Sequence, residues 1–94
     1  MTRNHDALTR VWAAELGPRG VTVNAVAPGL VDTAMLRAAT VLMGEEAVKG
    51  MVARTPLGRL GTTPNVADVV AFLASPDARW VTGQVLDITG GLAP

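Results

Sequence analysis

The stretch whose residue types and spacing could do chemistry is Pro28-Gly29-Leu30-Val31-Asp32-Thr33, the end of the run VTVNAVAPGLVDT. It reads as a buried strand running into a Pro-Gly turn, a usual place for a ligand to touch backbone. A glycine there lets the main chain come close to a bound group. A hydroxyl at a helix start can join the free backbone amides in holding an anion. The same residues have a plainer reading, with Pro28-Gly29 as a turn and Thr33 as the N-cap of a helix beginning at Ala34. From the residues alone both readings are open.

Few other side chains offer chemistry. The sequence holds no tyrosine and no cysteine; its only lysine is Lys49, its only serine Ser75 and its only histidine His5. Without cysteine, disulfide scaffolds, thiolate zinc sites and thiol nucleophiles are excluded. His5 lies in a polar N-terminal stretch and reads as solvated. Glu45, Glu46 and Asp68 have no spacing for a metal or for paired-carboxylate work, so no metal ligands are assigned and solvated helix faces are expected. Asn24, inside the strand, is expected to fix a neighbouring turn through its amide, as buried polar groups must find partners. Arg59, in PLGRLG, is expected to bond loop carbonyls. Met35, Leu36, Leu42, Met43, Met51 and Val52 suit either an adaptable apolar pocket or plain core packing.

The elements that must position these residues follow from periodicity. Leu8, Val11, Trp12 and Leu16 fall at helical spacing, predicting a helix from Asp6 to Leu16 that Gly17-Pro18 stops. VTVNAVAP predicts a strand from Val21 to Ala27, apolar on both faces and ended by Pro28. Ala34 to Arg54 has helical composition broken near Gly44. Thr63-Pro64 predicts a helix start with Thr63 as cap, and Val66, Val69, Val70 and Leu73 continue it until Ser75-Pro76. QVLDI is a short strand, left through the tight turn TGG. A strand, a helical crossover and a second strand predict a parallel pair. Two strands alone leave both outer edges unpaired, so the pattern looks like the end of a larger α/β fold.

Composition sets the outer bounds. Ninety-four residues allow at most one small domain, and 49% apolar content argues against disorder. Eight basic and eight acidic side chains cancel, leaving no electrostatic footprint for nucleic acid or anionic lipid. The start is too polar for a secretory signal and no apolar run approaches a membrane span, so a soluble cytoplasmic chain is expected.

Taken in order, "ALTRVWAAELGPRGVTVNAVAPGLVDT" and "RTPLGRLGTTPNVADVVAFLASPDARWVTGQVLDITGG" resemble the C-terminal portion of the short-chain dehydrogenases/reductases, from about Ala7 to Gly91. The resemblance implies an α/β fold, the C-terminal part of a Rossmann-type doubly wound parallel sheet, with residues 1–94 as a single partial domain. It implies NAD or NADP as cofactor of a full-length oxidoreductase that moves hydride between nicotinamide and an alcohol or carbonyl. It also implies site residues: Pro28, Gly29, Val31 and Thr33 match the family's Pro-Gly-x-Val-x-Thr loop. There the backbone at Val31 meets the nicotinamide carboxamide and the Thr33 hydroxyl reaches toward cofactor phosphate.

The departures are as informative. No strand-Gly-x-Gly-helix turn cradles a pyrophosphate. The family's Tyr-x-x-x-Lys pair would place its lysine near Thr2 and its tyrosine before Met1. Carbonyl reduction of this type needs a phenol and a nearby cation, so no catalytic residue is assigned, and this chain alone is expected neither to turn over nor to hold the cofactor tightly. Three readings follow: a fragment of such an oxidoreductase, a non-catalytic module that self-associates or joins a family subunit, or a remnant without function. In the resembled family the first helix and the last helix–strand unit lie at subunit interfaces, which would make Trp12 and Trp80 anchors.

Overall fold

A computed structural model describes residues 4–92, with side chains from Asp6 onward. Thr2, opposite the family's lysine, lies outside the described residues, as does the side chain of His5. The elements run α1 (Asn4–Leu16), β1 (Ala25–Pro28), α2 (Ala34–Met43), α3 (Glu45–Ala53), α4 (Thr63–Leu73) and β2 (Val85–Ile88), with 3-10 turns at Gly17–Arg19 and Pro76–Ala78. The fold is α/β. The chain divides into two compact units, Met1–Ala27 with Asp68–Asp87 and Pro28–Ala67 with Ile88–Pro94.

β1 and β2 pair directly. Ala25 N–H donates to Gln84 O and Gly29 N–H to Ile88 O, both at 2.9 Å, so the register advances equally on both strands and the pair is parallel as expected. With Ala25 and Gly29 facing β2, the two-residue alternation turns position 28 to the unpaired edge. That is why a proline can close β1 without removing a ladder donor.

β1 is shorter than the predicted Val21–Ala27, and Asn24 explains the difference. Its Nδ2 donates to Val81 O at 3.1 Å, and its Oδ1 accepts from Gln84 N–H at 3.1 Å. Val23 N–H donates to the Thr82 hydroxyl at 3.0 Å. Side chains replace the ladder at the strand entry, and the expectation that Asn24 fixes a neighbouring turn is met.

The face of helix α1 that carries its large apolar residues is not the buried one. Leu8, Val11 and Trp12 are exposed, whereas Thr9 and Ala13 are buried. The turn at Gly83, φ 73°, lies against Ala13, where a Cβ on residue 83 would meet Ala13 Cβ at 3.5 Å. The helix ends at Leu16 as expected. The left-handed residue is Gly20 (φ 75°, ψ 19°), after a 3-10 turn that carries Pro18, and not Gly17.

The break at Gly44 is observed: at φ 94° and ψ 149° this residue ends α2 and starts α3 in a conformation open essentially to glycine alone. At α4 the cap is Thr62, not Thr63. Thr62 N–H donates to Asn65 Oδ1 at 2.9 Å while Asn65 N–H donates back to the Thr62 hydroxyl at 3.3 Å, a reciprocal capping box.

Candidate functional site

The site is built on the Pro28–Thr33 loop, within the second unit. Two neighbouring segments hold that loop. On one side lies the end of β2, where Gly29 N–H donates to Ile88 O. On the other, Val31 and Gly61 form a parallel bridge, with Gly61 N–H donating to Leu30 O at 2.8 Å and Asp32 N–H donating to Gly61 O at 2.9 Å. Both bridge bonds go to the residues flanking Val31. Among the described residues Val31's own N–H and C=O have no hydrogen-bond partner, and the bridge pattern turns them away from Gly61.

Pro28, Gly29, Val31 and Thr33 all line one cleft of about 680 Å³, closed by Leu36 and Ala39 of α2 and by Thr63 and Val66 at the start of α4. The structure thus brings together all four residues that the sequence singled out. No charged side chain lines the cleft. Leu30, Ala39, Thr63, Val66 and Ala67 were not anticipated; small and apolar residues at a helix start carry no signal until the fold brings α4 beside the loop.

Thr33 caps α2. At φ −130° and ψ 165° its hydroxyl oxygen accepts from Leu36 N–H at 3.2 Å. A hydroxyl has one donor and two acceptor positions, so capping leaves its O–H to donate, and the plain and the ligand-binding readings of Thr33 are compatible. The first-turn N–H groups of Ala34 and Met35 have no intrahelical acceptor, as at any helix start. Asp32 is tied aside, its Oδ1 3.3 Å from Arg37 Nε on the exposed surface.

Gly29 has a reason the sequence did not disclose. A Cβ added there would lie 3.0 Å from Thr89 Cα and 3.1 Å from Thr89 Cβ. Packing against the TGG turn therefore favours glycine here independently of any ligand, since a larger residue would need Thr89 to give way.

The remaining candidates stay apart from the cleft. Lys49 Nζ lies 3.6 Å from Glu46 Oε1 in α3, with both side chains largely exposed. The Ser75 hydroxyl donates to Phe72 O at 2.6 Å, closing α4. Glu45 and Glu46 occupy the first turn of α3, where acidic groups suit the positive helix end. Among the described residues no three His, Cys, Asp or Glu side chains cluster to hold a metal ion. Arg59 Nη1 donates to Leu60 O at 2.9 Å and to Asn65 Oδ1 at 3.0 Å, anchoring its loop as expected. Of the apolar set, Met35 and Leu36 line the cleft, while Leu42 is 88% exposed and so is not core.

Comparison with known proteins places the chain among reductases. The profile of the family described as enoyl-(acyl carrier protein) reductase matches residues 4–93. An uncharacterized oxidoreductase of Methylorubrum extorquens is 51% identical over 87 residues, covering 93% of this chain and 35% of the relative. The 3-oxoacyl-(acyl-carrier-protein) reductase FabG of Thermotoga maritima is 47% identical over 85 residues, covering 90% and 33%. Among solved structures, a 3-oxoacyl-(acyl-carrier protein) reductase of Brucella melitensis with bound NAD superposes with a TM-score of 0.80 at 40% identity, covering 94% of this chain and 30% of that one. The chain spans about a third of the length of these relatives. With its α/β fold, its parallel strand pair and its Pro-Gly loop, the chain belongs to the short-chain dehydrogenase/reductase family of NAD(P)-dependent oxidoreductases and corresponds to the C-terminal portion of its Rossmann-type fold.

Proposed function

We propose that this chain supplies one wall of a nicotinamide-cofactor site in an oxidoreductase acting on an alcohol or carbonyl, as the C-terminal portion of a single Rossmann-type domain. The observation that carries the reading is the convergence of Pro28, Gly29, Val31 and Thr33 on one apolar cleft, with Val31's peptide presented unpaired. A carboxamide offers both a donor and an acceptor, and a free N–H and C=O on one residue match that pair. The apolar lining suits a flat aromatic ring, and the Thr33 O–H with the first amides of α2 suits a phosphate. The residues present therefore fit the group. When bound, the nicotinamide supplies or accepts the hydride. The chain's own residues orient the ring, keep water from its apolar side and hold the phosphate.

The same reading makes the chain inactive alone. It has no tyrosine, Lys49 is engaged with Glu46, and Ser75 is engaged with Phe72 O. Among the described residues the cleft offers only the Thr33 and Thr63 hydroxyls, without the phenol and neighbouring cation that this proton transfer needs.

The test is a chimera in which residues 4–92 replace the matching C-terminal segment of the Thermotoga maritima reductase. We expect NAD(P)H-dependent reduction of a 3-oxoacyl thioester by the chimera and none by the chain alone. Thr33→Val should raise the cofactor KM about tenfold, the equivalent of ~1.4 kcal/mol for hydrogen bonds to a charged group, and Thr33→Ser should not. A folded chimera that binds neither nicotinamide cofactor would sink the reading.

One observation favours a second role, as a module that self-associates or joins a family subunit: Trp12 is 49% and Trp80 97% exposed. Aromatic side chains of this kind concentrate at interface hot spots. Sedimentation of the chain alone and with a full-length relative tests it; a monomer in both experiments would remove it.

A further inference from the structure

We infer that Thr89, more than fifty residues from the site loop in sequence, is the positioning residue of the Pro28–Thr33 wall; the cofactor role of that wall is the reading given above. Behind the wall lies a second cavity of about 230 Å³, with Leu30 and Val31 at its front and Leu57, Ile88 and Thr89 at its back. Val31 therefore lines both the cleft and this cavity. A residue that borders two cavities has fewer close-packed neighbours to fix it. It is held by the two contacts that flank it.

One of these is the Gly61 bridge to Leu30 and Asp32. The other is the end of β2, where Gly29 N–H donates to Ile88 O at 2.9 Å and Gly29 approaches Thr89 closely enough that a Cβ on residue 29 would sit 3.0 Å from Thr89 Cα and 3.3 Å from its Cγ2. Thr89 is fixed in turn. Its hydroxyl oxygen accepts from Gly91 N–H at 3.2 Å. Gly90 O accepts from Leu57 N–H at 3.0 Å. Gly90 and Gly91 stand at φ 64° and 93°, and a Cβ on Gly91 would lie 2.9 Å from Pro56 Cγ. The turn is thus seated on the Thr55–Leu57 segment, and Thr89 passes that seating to Gly29. Removing the Thr89 side chain lets the wall relax toward the cavity and moves Val31's peptide with it.

Amide hydrogen exchange on the ¹⁵N-labelled chain tests this without any cofactor. In Thr89→Ala, exchange at Gly29 and Asp32 should quicken about tenfold, as for loss of one supporting interaction. Thr89→Ser, which keeps the acceptor for Gly91, should return to near wild type. Ala25, bonded to Gln84 O in the other unit, should not change. Gly29→Ala presses on the same contact from the opposite side and should disturb the same amides, so a poorly folded Thr89→Ala does not end the test. Faster exchange confined to Gly91 and Leu92, or spread equally to Ala25, would overturn the proposal. Titration with NADH of the chimera described above, with and without the Thr89 substitution, separates it from the cofactor reading. A Val31 amide that NADH moves in the unsubstituted chimera and not in its Thr89→Ala form supports both. A Val31 amide that NADH leaves in place in the unsubstituted chimera, with the exchange pattern intact, overturns only the cofactor reading.

Discussion

Replacing Asn65 by alanine should loosen the start of α4 and the loop before it together. Asn65 Oδ1 accepts two hydrogen bonds, from Thr62 N–H at 2.9 Å and from Arg59 Nη1 at 3.0 Å. The first is half of the capping box, and losing such a cap costs about 1 kcal/mol. The second involves an exposed guanidinium that keeps Leu60 O as an acceptor, so its loss adds about 0.5 kcal/mol or less. Alanine returns about 0.5 kcal/mol through its better helix propensity. The net is about 1 kcal/mol, which for a chain of this size lowers Tm by roughly 4–8 °C. Thermal unfolding followed by far-ultraviolet ellipticity measures it, with Thr63→Ala as the control, since Thr63 makes no capping bond and should shift Tm by less than about 2 °C. An Asn65→Ala protein within 2 °C of wild type, or a Thr63→Ala shift as large as that of Asn65→Ala, would refute the assignment of Thr62 and Asn65 as the cap.

Three further outcomes are expected. Thr33→Ala removes the acceptor for Leu36 N–H and should destabilise the chain by about 1 kcal/mol, read as a lower midpoint in urea unfolding. Gly44→Ala puts a side chain at φ 94° and ψ 149° and should cost about 1–3 kcal/mol, although no atom lies within 4 Å of the added Cβ; an unchanged midpoint in urea unfolding would refute the strain assigned to this position. Trp80→Ala, at a side chain 97% exposed, should change stability by less than about 0.5 kcal/mol while abolishing any self-association seen by sedimentation.

Much of the organisation was legible in the residues because it depends on local chemistry. Helical spacing, the β-branched run, Gly44 and the Ser75-Pro76 stop announce elements through backbone preferences that act within a few residues. The loop from Pro28 to Thr33 was legible for the same reason: turn residues, a cap and a glycine stand in one contiguous stretch. Positions that depend on a distant neighbour were not. The alternation of VTVNAVA predicts a longer strand, but Asn24 bonds Val81 and Gln84 across the chain and replaces the ladder there. The period of Leu8, Val11 and Trp12 marks an apolar face, yet it is Thr9 and Ala13 that are buried, with Ala13 against the turn at Gly83. Capping by Thr62 in place of Thr63 turns on a one-residue shift that only hydrogen-bond geometry resolves.

By itself, then, the sequence determined the chemistry within reach: the absence of tyrosine, a single lysine, and one loop able to present backbone to a ligand. Tertiary structure decided where that loop is held. Leu36, Thr63 and Val66 become walls of a cleft, and Thr89 becomes the neighbour whose closeness favours glycine at position 29. Neither follows from composition or periodicity, because each requires segments some thirty to sixty residues apart in the sequence to lie within van der Waals reach.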